Sequence, residues 1–251
     1  MTEILYGIHP VLEAIQARRR DIIRIHVSSG RRSRRIQVVA ARAEARGIPV
    51  VEIGVDRLRT LAGTPRHQGV CAHAAPFPYT GFDGLLPAVS ADNPVPFWLV
   101  LDSIQDPHNL GALLRTALCA GIDVIVLPKD RSASATPAVS KASAGALEYC
   151  RLTRVTNLSR ALSAMQERGM WIVGLDSRGA EDLFRVDLTG PVALVIGGEE
   201  RGVRPLVKQH CDHLLAVPQV GPVGSLNASV AGGVAMYEAY RQRNKLVHKP
   251  V

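Results

Sequence analysis

The sequence has little of what marks membrane, secreted or metal-binding proteins. No run of about 18 apolar residues occurs, so we predict no transmembrane helix. The start, MTEILYGIHP, lacks a basic segment followed by an apolar core, which indicates no signal peptide. The four cysteines among 251 residues form no C-x-x-C pair, which argues against disulfides and a cysteine zinc site. We expect a cytoplasmic protein with no bound metal and no membrane association.

Lysine is also scarce, and the positive charge is concentrated near the N-terminus. The chain has 5 lysines against 25 arginines, and residues 1–75 hold 13 arginines and 6 acidic residues, a net charge of +7 out of +8. Arginine matches phosphate oxygens, and clustered cations gain from counterion release on a polyanion. An ordinary solvated surface of an arginine-rich protein is the alternative. The predicted nucleic-acid contacts are Arg18, Arg19, Arg20, Arg31, Arg32, Arg34 and Arg35.

The patterning divides the chain into two α/β domains. Residues 1–75 predict a small basic unit, with helices at 7–18 and 34–46 and strands at 22–28, 49–53 and 68–74. Residues 76–96 contain five prolines and two glycines and predict a linker. Residues 97–251 alternate apolar strands with helices, which indicates a parallel sheet covered on both faces. The predicted strands there are 97–102, 123–128, 147–153, 171–176, 192–198 and 213–219; the predicted helices lie near 110–120, 137–146, 158–168, 203–211 and 226–243.

Ligands of parallel sheets bind at the carboxyl ends of strands, and polar or glycine-rich loops follow three of the predicted strands. In DSIQDPHNLGALLRTALCAG (102–121), Asn109 is predicted to cap a helix that carries Arg115. Taken alone, these two residues would be a cap and a surface ion-pair partner. In LVIGGEERGVRP (194–205), Gly197 and Gly198 allow a close approach of backbone to a ligand, with Glu199 next. This loop matches neither the phosphate-binding nor the dinucleotide-binding glycine pattern.

The third loop raises a packing question. VPQVGPVGSLNASVAGG (217–233) places Ser225 and Asn227 before a helix of very small residues. Either that helix packs closely on another backbone, or something small is held at its N-terminus. Nearby, HCDH (210–213) is a weak candidate metal site, because it falls where a helix passes into a strand.

Together, NLGALLR, GGEERG and SLNASVA resemble the three motifs of the SpoU-type RNA 2′-O-ribose methyltransferases. YGIHPVLEAI and HQGVCAHA resemble the small RNA-binding domain, similar to ribosomal protein L30e, of the subgroup that methylates guanosine in bacterial 23S rRNA. The resemblance covers essentially the whole chain. It implies S-adenosylmethionine as methyl donor, a homodimer, and a deep trefoil knot that the C-terminal segment forms by threading through an earlier loop.

The same resemblance implies the site residues. The catalytic set is Asn109, Arg115, Glu199, Ser225 and Asn227, and the cofactor-binding set is Gly197, Gly198, Val217, Pro218, Leu226 and Asn227. Arg115 would contact the 2′-hydroxyl, either as a base that transiently gives up a proton or as a group that only positions hydroxyl and phosphate, since arginine is normally protonated in proteins. Glu200 departs from the family pattern, where a smaller residue is expected.

The leading hypothesis is therefore 2′-O-methylation of a guanosine in 23S rRNA, free or in a ribosome-assembly intermediate. The first alternative keeps the chemistry and changes the substrate to tRNA or another rRNA nucleotide, including a resistance-type modification. A second is a non-catalytic RNA-binding or ribosome-assembly protein. A nicotinamide enzyme is a distant third, because the dinucleotide fingerprint is missing.

Overall fold

The computed structural model describes residues 2–30, 33–89, 95–222 and 224–244. The chain divides into two compact units: unit 1 is Met1–Pro78 with Ala135–Tyr149, and unit 2 is Tyr79–Ser134 with Cys150–Val251. Among the described residues, no helix combines the length and apolar character needed to cross a membrane.

Eleven strands and eight helices are found in the described ranges. The strands are β1 (Glu3–Tyr6), β2 (Ile22–Ser28), β3 (Val50–Ile53), β4 (Val70–Ala74), β5 (Phe97–Asp102), β6 (Val124–Pro128), β7 (Leu152–Val155), β8 (Trp171–Leu175), β9 (Glu181–Asp182), β10 (Val192–Gly197) and β11 (His213–Ala216). The helices are α1 (Ile8–Ala17), α2 (Arg34–Glu44), α3 (Val55–Ala62), α4 (Pro107–Cys119), α5 (Pro137–Ala142), α6 (Leu158–Gln166), α7 (Pro205–Lys208) and α8 (Ala228–Asn244).

Unit 1 is built on a four-stranded sheet in the order β1-β4-β2-β3. Only the β2–β3 pair is parallel. Alternate residues of the strands, among them Leu5, Ile25 and Val27, form a core with the apolar sides of α1 and α2. Unit 1 also includes the later segment Ala135–Tyr149, which the small unit predicted for residues 1–75 does not contain.

Unit 2 is built on a seven-stranded sheet in the order β7-β6-β5-β10-β8-β11-β9, and all of its strand pairs are parallel. The prediction of a parallel α/β sheet is confirmed. In the register, Gly197 lies beside Asp102 on β5, and Leu215 lies beside Leu175 on β8. The carboxyl ends of these central strands therefore meet along one edge.

The predicted strand at 147–153 is wrong in its first half. Ala146–Tyr149 forms a short 3-10 helix, and β7 begins only at Leu152. Glu148 explains the difference, because its carboxylate is buried and accepts hydrogen bonds from Arg20 Nε at 2.8 Å and from Ser140 Oγ at 2.7 Å. A strand with an outward-facing glutamate would lose this buried pair.

The predicted helix cap at Asn109 is also wrong. Helix α4 begins two residues earlier at Pro107, and Asp106 is the cap, its Oδ1 accepting from His108 N at 2.9 Å. Asp followed by Pro at the first helical position is a strong start signal. Asn109 therefore lies within the first turn, and its side chain is not used by the helix.

Close packing explains one of the small residues of α8, Gly232. A Cβ added to Gly232 would overlap the side-chain ends of Ile196 on β10 and Leu113 on α4, both buried. One added to its neighbour Gly233 would come no closer than 3.9 Å, to Thr116 Cγ2. Of the two explanations for the small residues of this helix, close approach to another element therefore holds at Gly232. The trefoil knot stays a prediction.

Candidate active site

The three loops singled out in the sequence meet at the carboxyl edge of the unit 2 sheet. Two of them, 194–205 and 217–233, border a cavity of about 840 Å³. The predicted site residues on its wall are Gly197, Gly198, Glu199, Val217, Ser225, Leu226 and Asn227. Pro218 is exposed and is not part of the wall.

A directional chain of hydrogen bonds joins two of these loops to α4. Asn227 Oδ1 accepts from Ser229 N at 2.9 Å and Val230 N at 3.3 Å, so it caps α8. Its Nδ2 then donates to Asn109 Oδ1 at 3.1 Å, and Asn109 Nδ2 donates to Glu199 Oε1 at 2.7 Å. Because both amides must donate in this direction, the last member must be an acceptor, which suits the Glu199 carboxylate.

Two predicted catalytic residues take no part in this chain of hydrogen bonds. Ser225 lines the cavity but is exposed and joins none of the bonds just described. Arg115 is exposed on α4, about 9 Å along the helix axis from Asn109 at 1.5 Å per residue. In the described part of the chain Arg115 has no hydrogen-bond or ion-pair partner, and it does not line the cavity.

The glycine turn after β10 is held by close backbone contacts. A Cβ on Gly197 would overlap the backbone of Gly202 and Val203, and one on Gly198 would overlap the carbonyl of Ser103. Gly198 and Gly202 also form a short bridge, with Gly202 N donating to Gly198 O at 2.9 Å. The absence of side chains at Gly197 and Gly198 is therefore required by packing within the protein, and both glycines also line the cavity.

A buried carboxylate that sequence reasoning missed fixes the same turn. Asp102 ends β5 with none of its surface exposed, and its oxygens accept from Arg204 N at 2.9 Å and Arg204 Nε at 2.6 Å. A charged residue closing an apolar strand, at the edge where ligands bind, was the available signal.

The loop after β8 is a third part of the wall, and sequence reasoning missed it. It brings Leu175, Asp176, Ser177 and Arg178 to the cavity, with Lys208 from α7. Burial alone would raise the pKa of Asp176, but hydrogen bonding and charge from Lys208, with further help from Arg178, lower it overall. Asp176 is thus a carboxylate at neutral pH and can accept hydrogen bonds.

The HCDH segment does not gather its side chains around one point. His210 Nδ1 lies 3.4 Å from Ser163 Oγ, Asp212 Oδ2 accepts from Ile172 N at 2.7 Å, and the His213 ring stacks on Trp171. Burial raises the pKa of the Cys211 thiol to about 12, so it is not a thiolate at neutral pH. Within residues 2–30, 33–89, 95–222 and 224–244, no group of three His, Cys, Asp or Glu side chains is placed to hold a metal.

The predicted RNA-binding arginines of unit 1 differ in their surroundings. Arg18, Arg34 and Arg35 are exposed, and the Arg19 guanidinium lies 5.7 Å from the centre of the Phe77 ring. Arg31 and Arg32 lie outside the described residues.

Arg20 does not fit its predicted RNA contact. Only 1% of its side chain is exposed, and its guanidinium is bound by Glu148 and by Glu3, the latter at 2.9 Å. Its role in this structure is internal, because burial and pairing leave no group free for a phosphate.

Comparison with known families decides the membership of this chain. The sequence model of the SpoU rRNA methylase family matches residues 96–237, more than half of the chain. The chain belongs to this family. A second model, described as the substrate-binding domain of RNA 2′-O ribose methyltransferases, matches residues 4–80 of the SpoU protein. The resemblance drawn from the three motifs is confirmed.

Individual SpoU relatives span both units. The 23S rRNA (guanosine-2′-O-)-methyltransferase RlmB of Ralstonia nicotianae is 42% identical over 97% of each chain. YacO of Bacillus subtilis, named as a TrmH family tRNA/rRNA methyltransferase, is 41% identical over 96% of each chain. The fold is similar to the SpoU methyltransferase AviRb of Streptomyces viridochromogenes, crystallised with AdoMet, with a TM-score of 0.79 and 23% identity over 97% of this chain and 91% of that one.

Proposed function

We propose that this SpoU protein transfers the methyl group of S-adenosylmethionine to the ribose 2′-hydroxyl of a guanosine in 23S rRNA, in the cytoplasm. The observation that carries the proposal is the directional chain from α8 through Asn227 and Asn109 to Glu199, at the mouth of a ligand-sized cavity. The name of the RlmB relative, with 42% identity over nearly the full length, supports the substrate.

The cavity fits the proposed methyl donor in size and in chemistry. Its volume of about 840 Å³ lies in the range of small-molecule sites. The bare backbone around Gly197 and Gly198 suits amide hydrogen bonds to adenine, and Val217 and Leu226 supply apolar wall. Asp176 is an acceptor suited to ribose hydroxyls. When bound, S-adenosylmethionine supplies an electrophilic methyl group on a sulfonium centre.

The residues of this chain would orient the target ribose and keep its hydroxyl reactive. Glu199 carries the acceptor capacity that Asn109 leaves unused, and this can receive the 2′-hydroxyl or a neighbouring ribose group. Asn109 and Asn227 hold Glu199 against the helix cap and are positioning residues. Arg115 would hold the phosphate or hydroxyl of the RNA, and its exposure in the free protein leaves it accessible to a large substrate.

A homodimer forms the second part of the proposal, and the exposed side of α8 supports it. Val230, Tyr237 and Tyr240 follow one helical stripe and are 51%, 50% and 42% exposed. On α4, Leu118 is exposed one turn from Arg115. A self-association surface would cover these apolar groups. Light scattering should give a mass of two chains for the wild type. The Tyr237→Glu variant should give the mass of a single chain.

The function is tested with labelled S-adenosylmethionine and purified 23S rRNA, 16S rRNA and bulk tRNA, followed by digestion to nucleosides. We expect label in 2′-O-methylguanosine from 23S rRNA alone. Label in tRNA would keep the chemistry and favour the second candidate, transfer to tRNA, which the name of YacO supports. Binding of S-adenosylmethionine without transfer to these RNAs, or to a ribosome-assembly intermediate, would contradict the proposal.

A further inference from the structure

One face of the unit 1 sheet is only partly covered. Helices α1 and α2 pack on the face that carries Ile25 and Val27. On the opposite face, α3 buries Leu58, whose carbonyl lies 3.9 Å from Cys71 Sγ. Elsewhere on that face Arg24 and Val51 are exposed, and His26 and His73 are partly exposed.

Cationic and imidazole side chains occupy this open part. In the register, Arg24 lies beside His73 of β4, and His26 lies beside Cys71. Alternation along β2 therefore places Arg24 and His26 on the face opposite Ile25. The rings of His26 and His73 meet edge to face with centres 5.3 Å apart, and Arg24 is exposed.

A second arginine reaches the same place from α3. Burial lowers the pKa of His26, and electrostatic interactions with His73, Arg24 and Arg57 lower it further. Each of these three groups therefore lies close enough to act on His26. Within the described part of the chain, neither Arg24 nor Arg57 has a carboxylate partner.

The carboxylates of the neighbouring strands do not balance this charge. Glu3 registers with Ala74 and Glu52 with Val27, both core positions, so the two glutamates belong to the other face. Helix α3 contributes a single carboxylate, Asp56. The open face therefore carries an excess of positive charge beside exposed apolar surface at Val51.

We propose that this surface, formed by Arg24, His26, Arg57 and His73 and called here the open sheet face, binds the phosphodiester backbone of the RNA substrate. The inference rests on the proposed function for the identity of that RNA. Guanidinium groups match phosphate oxygens, and imidazole rings on a sheet offer a surface against which a base or ribose can lie. Arg57 lies outside the arginine-rich segment 18–35, so charge clustering along the sequence does not reveal this surface.

The test compares RNA binding by the full-length wild type with Arg24→Gln, Arg57→Gln and the double variant, using a 23S rRNA transcript over a range of salt. We expect the double variant to bind at least about tenfold more weakly at 0.1 M salt, with a salt slope smaller by about 1.5, as for two lost phosphate contacts. Both arginines are exposed, so the melting temperature should not change. Arg42→Gln is the matched control for Arg24→Gln, because Arg42 is exposed on α2, which packs on the covered face.

Unchanged RNA affinity and salt slope in the double variant would overturn the proposal that the open sheet face binds RNA. The proposed methyl transfer would not be affected by that result. The proposal is also overturned if the double variant loses binding to polyglutamate but not to RNA, since the surface would then fit an acidic protein. If the wild type binds the transcript through these arginines but methylates no RNA, the proposed function fails and the surface stands.

Discussion

The cavity of unit 2 is shaped mainly by backbone, whereas the charged surface of unit 1 is formed by side chains. The cavity is shaped by backbone, with Gly197 and Gly198 in contact with neighbouring main chain and Asn227 bound to a helix end. The surface of unit 1 consists of exposed side chains such as Arg24 and Arg34. A site formed by backbone depends on the position of each atom. The affinity of a charged surface for RNA depends on the total charge of several side chains. Single substitutions should therefore act strongly on the first and weakly on the second.

Arg115 is the sharpest challenge to this comparison, because it is an exposed side chain in unit 2 with a predicted essential role. We expect Arg115→Lys to lower kcat at least about 100-fold, since lysine lacks the planar fork that positions two oxygens. S-adenosylmethionine binding and melting temperature should be unchanged. Near-full turnover by the lysine variant, measured with saturating RNA, would remove Arg115 from the catalytic set.

Gly198→Ala is the most direct test of the backbone site. Its Cβ would overlap the carbonyl of Ser103, so we expect the turn to shift and the affinity for S-adenosylmethionine to fall about tenfold, as for an overpacking cost near 1.4 kcal/mol. Gly190→Ala is the matched control, because a Cβ there meets nothing within 4 Å. Calorimetric titration with S-adenosylmethionine measures the affinity of both variants. Equal affinities would mean that the turn accommodates the added Cβ without disturbing the cavity.

Alanine substitutions at two adjacent glycines of α8 should have smaller effects, and they should change the free energy of unfolding in opposite directions. Gly232→Ala should lower the free energy of unfolding by about 1 kcal/mol, because it crowds Ile196 and Leu113. Gly233→Ala should raise it by about 0.5 to 1 kcal/mol, since alanine favours helix and the space is open. Urea denaturation of the two variants measures the difference. The same sign for both would show that α8 does not pack as closely as Gly232 indicates.

The smallest effect is expected for one arginine of unit 1. Arg34→Gln removes at most one phosphate contact, so RNA affinity should fall less than about tenfold and the salt slope should change by no more than about 0.9. A larger loss would mean that Arg34 reads a specific feature of the RNA, and the contrast between the two units would weaken.

Local patterns predicted the regular elements well and the contacts between them poorly. β2 and β5 fall at the predicted positions, because apolar strands bounded by polar loops are a local signal. Arg20 and Glu148 could not be paired from sequence, since 128 residues separate them and each alone is typical of a surface. Asn109 was predicted to cap a helix that Asp106 caps instead, yet its motif pointed to the correct loop.

The chain leaves unit 1 at Pro78 and returns to it at Ala135–Tyr149, and this has a consequence during biosynthesis. Arg20 emerges 128 residues ahead of Glu148, which at 5 to 20 residues per second is about 6 to 26 s of translation. Until then the guanidinium lacks the Glu148 carboxylate, whose pairing offsets the free-energy cost of burying its charge. Unit 1 therefore cannot finish folding first, as N-terminal domains usually do, and a fragment ending at Pro78 would carry the same defect permanently.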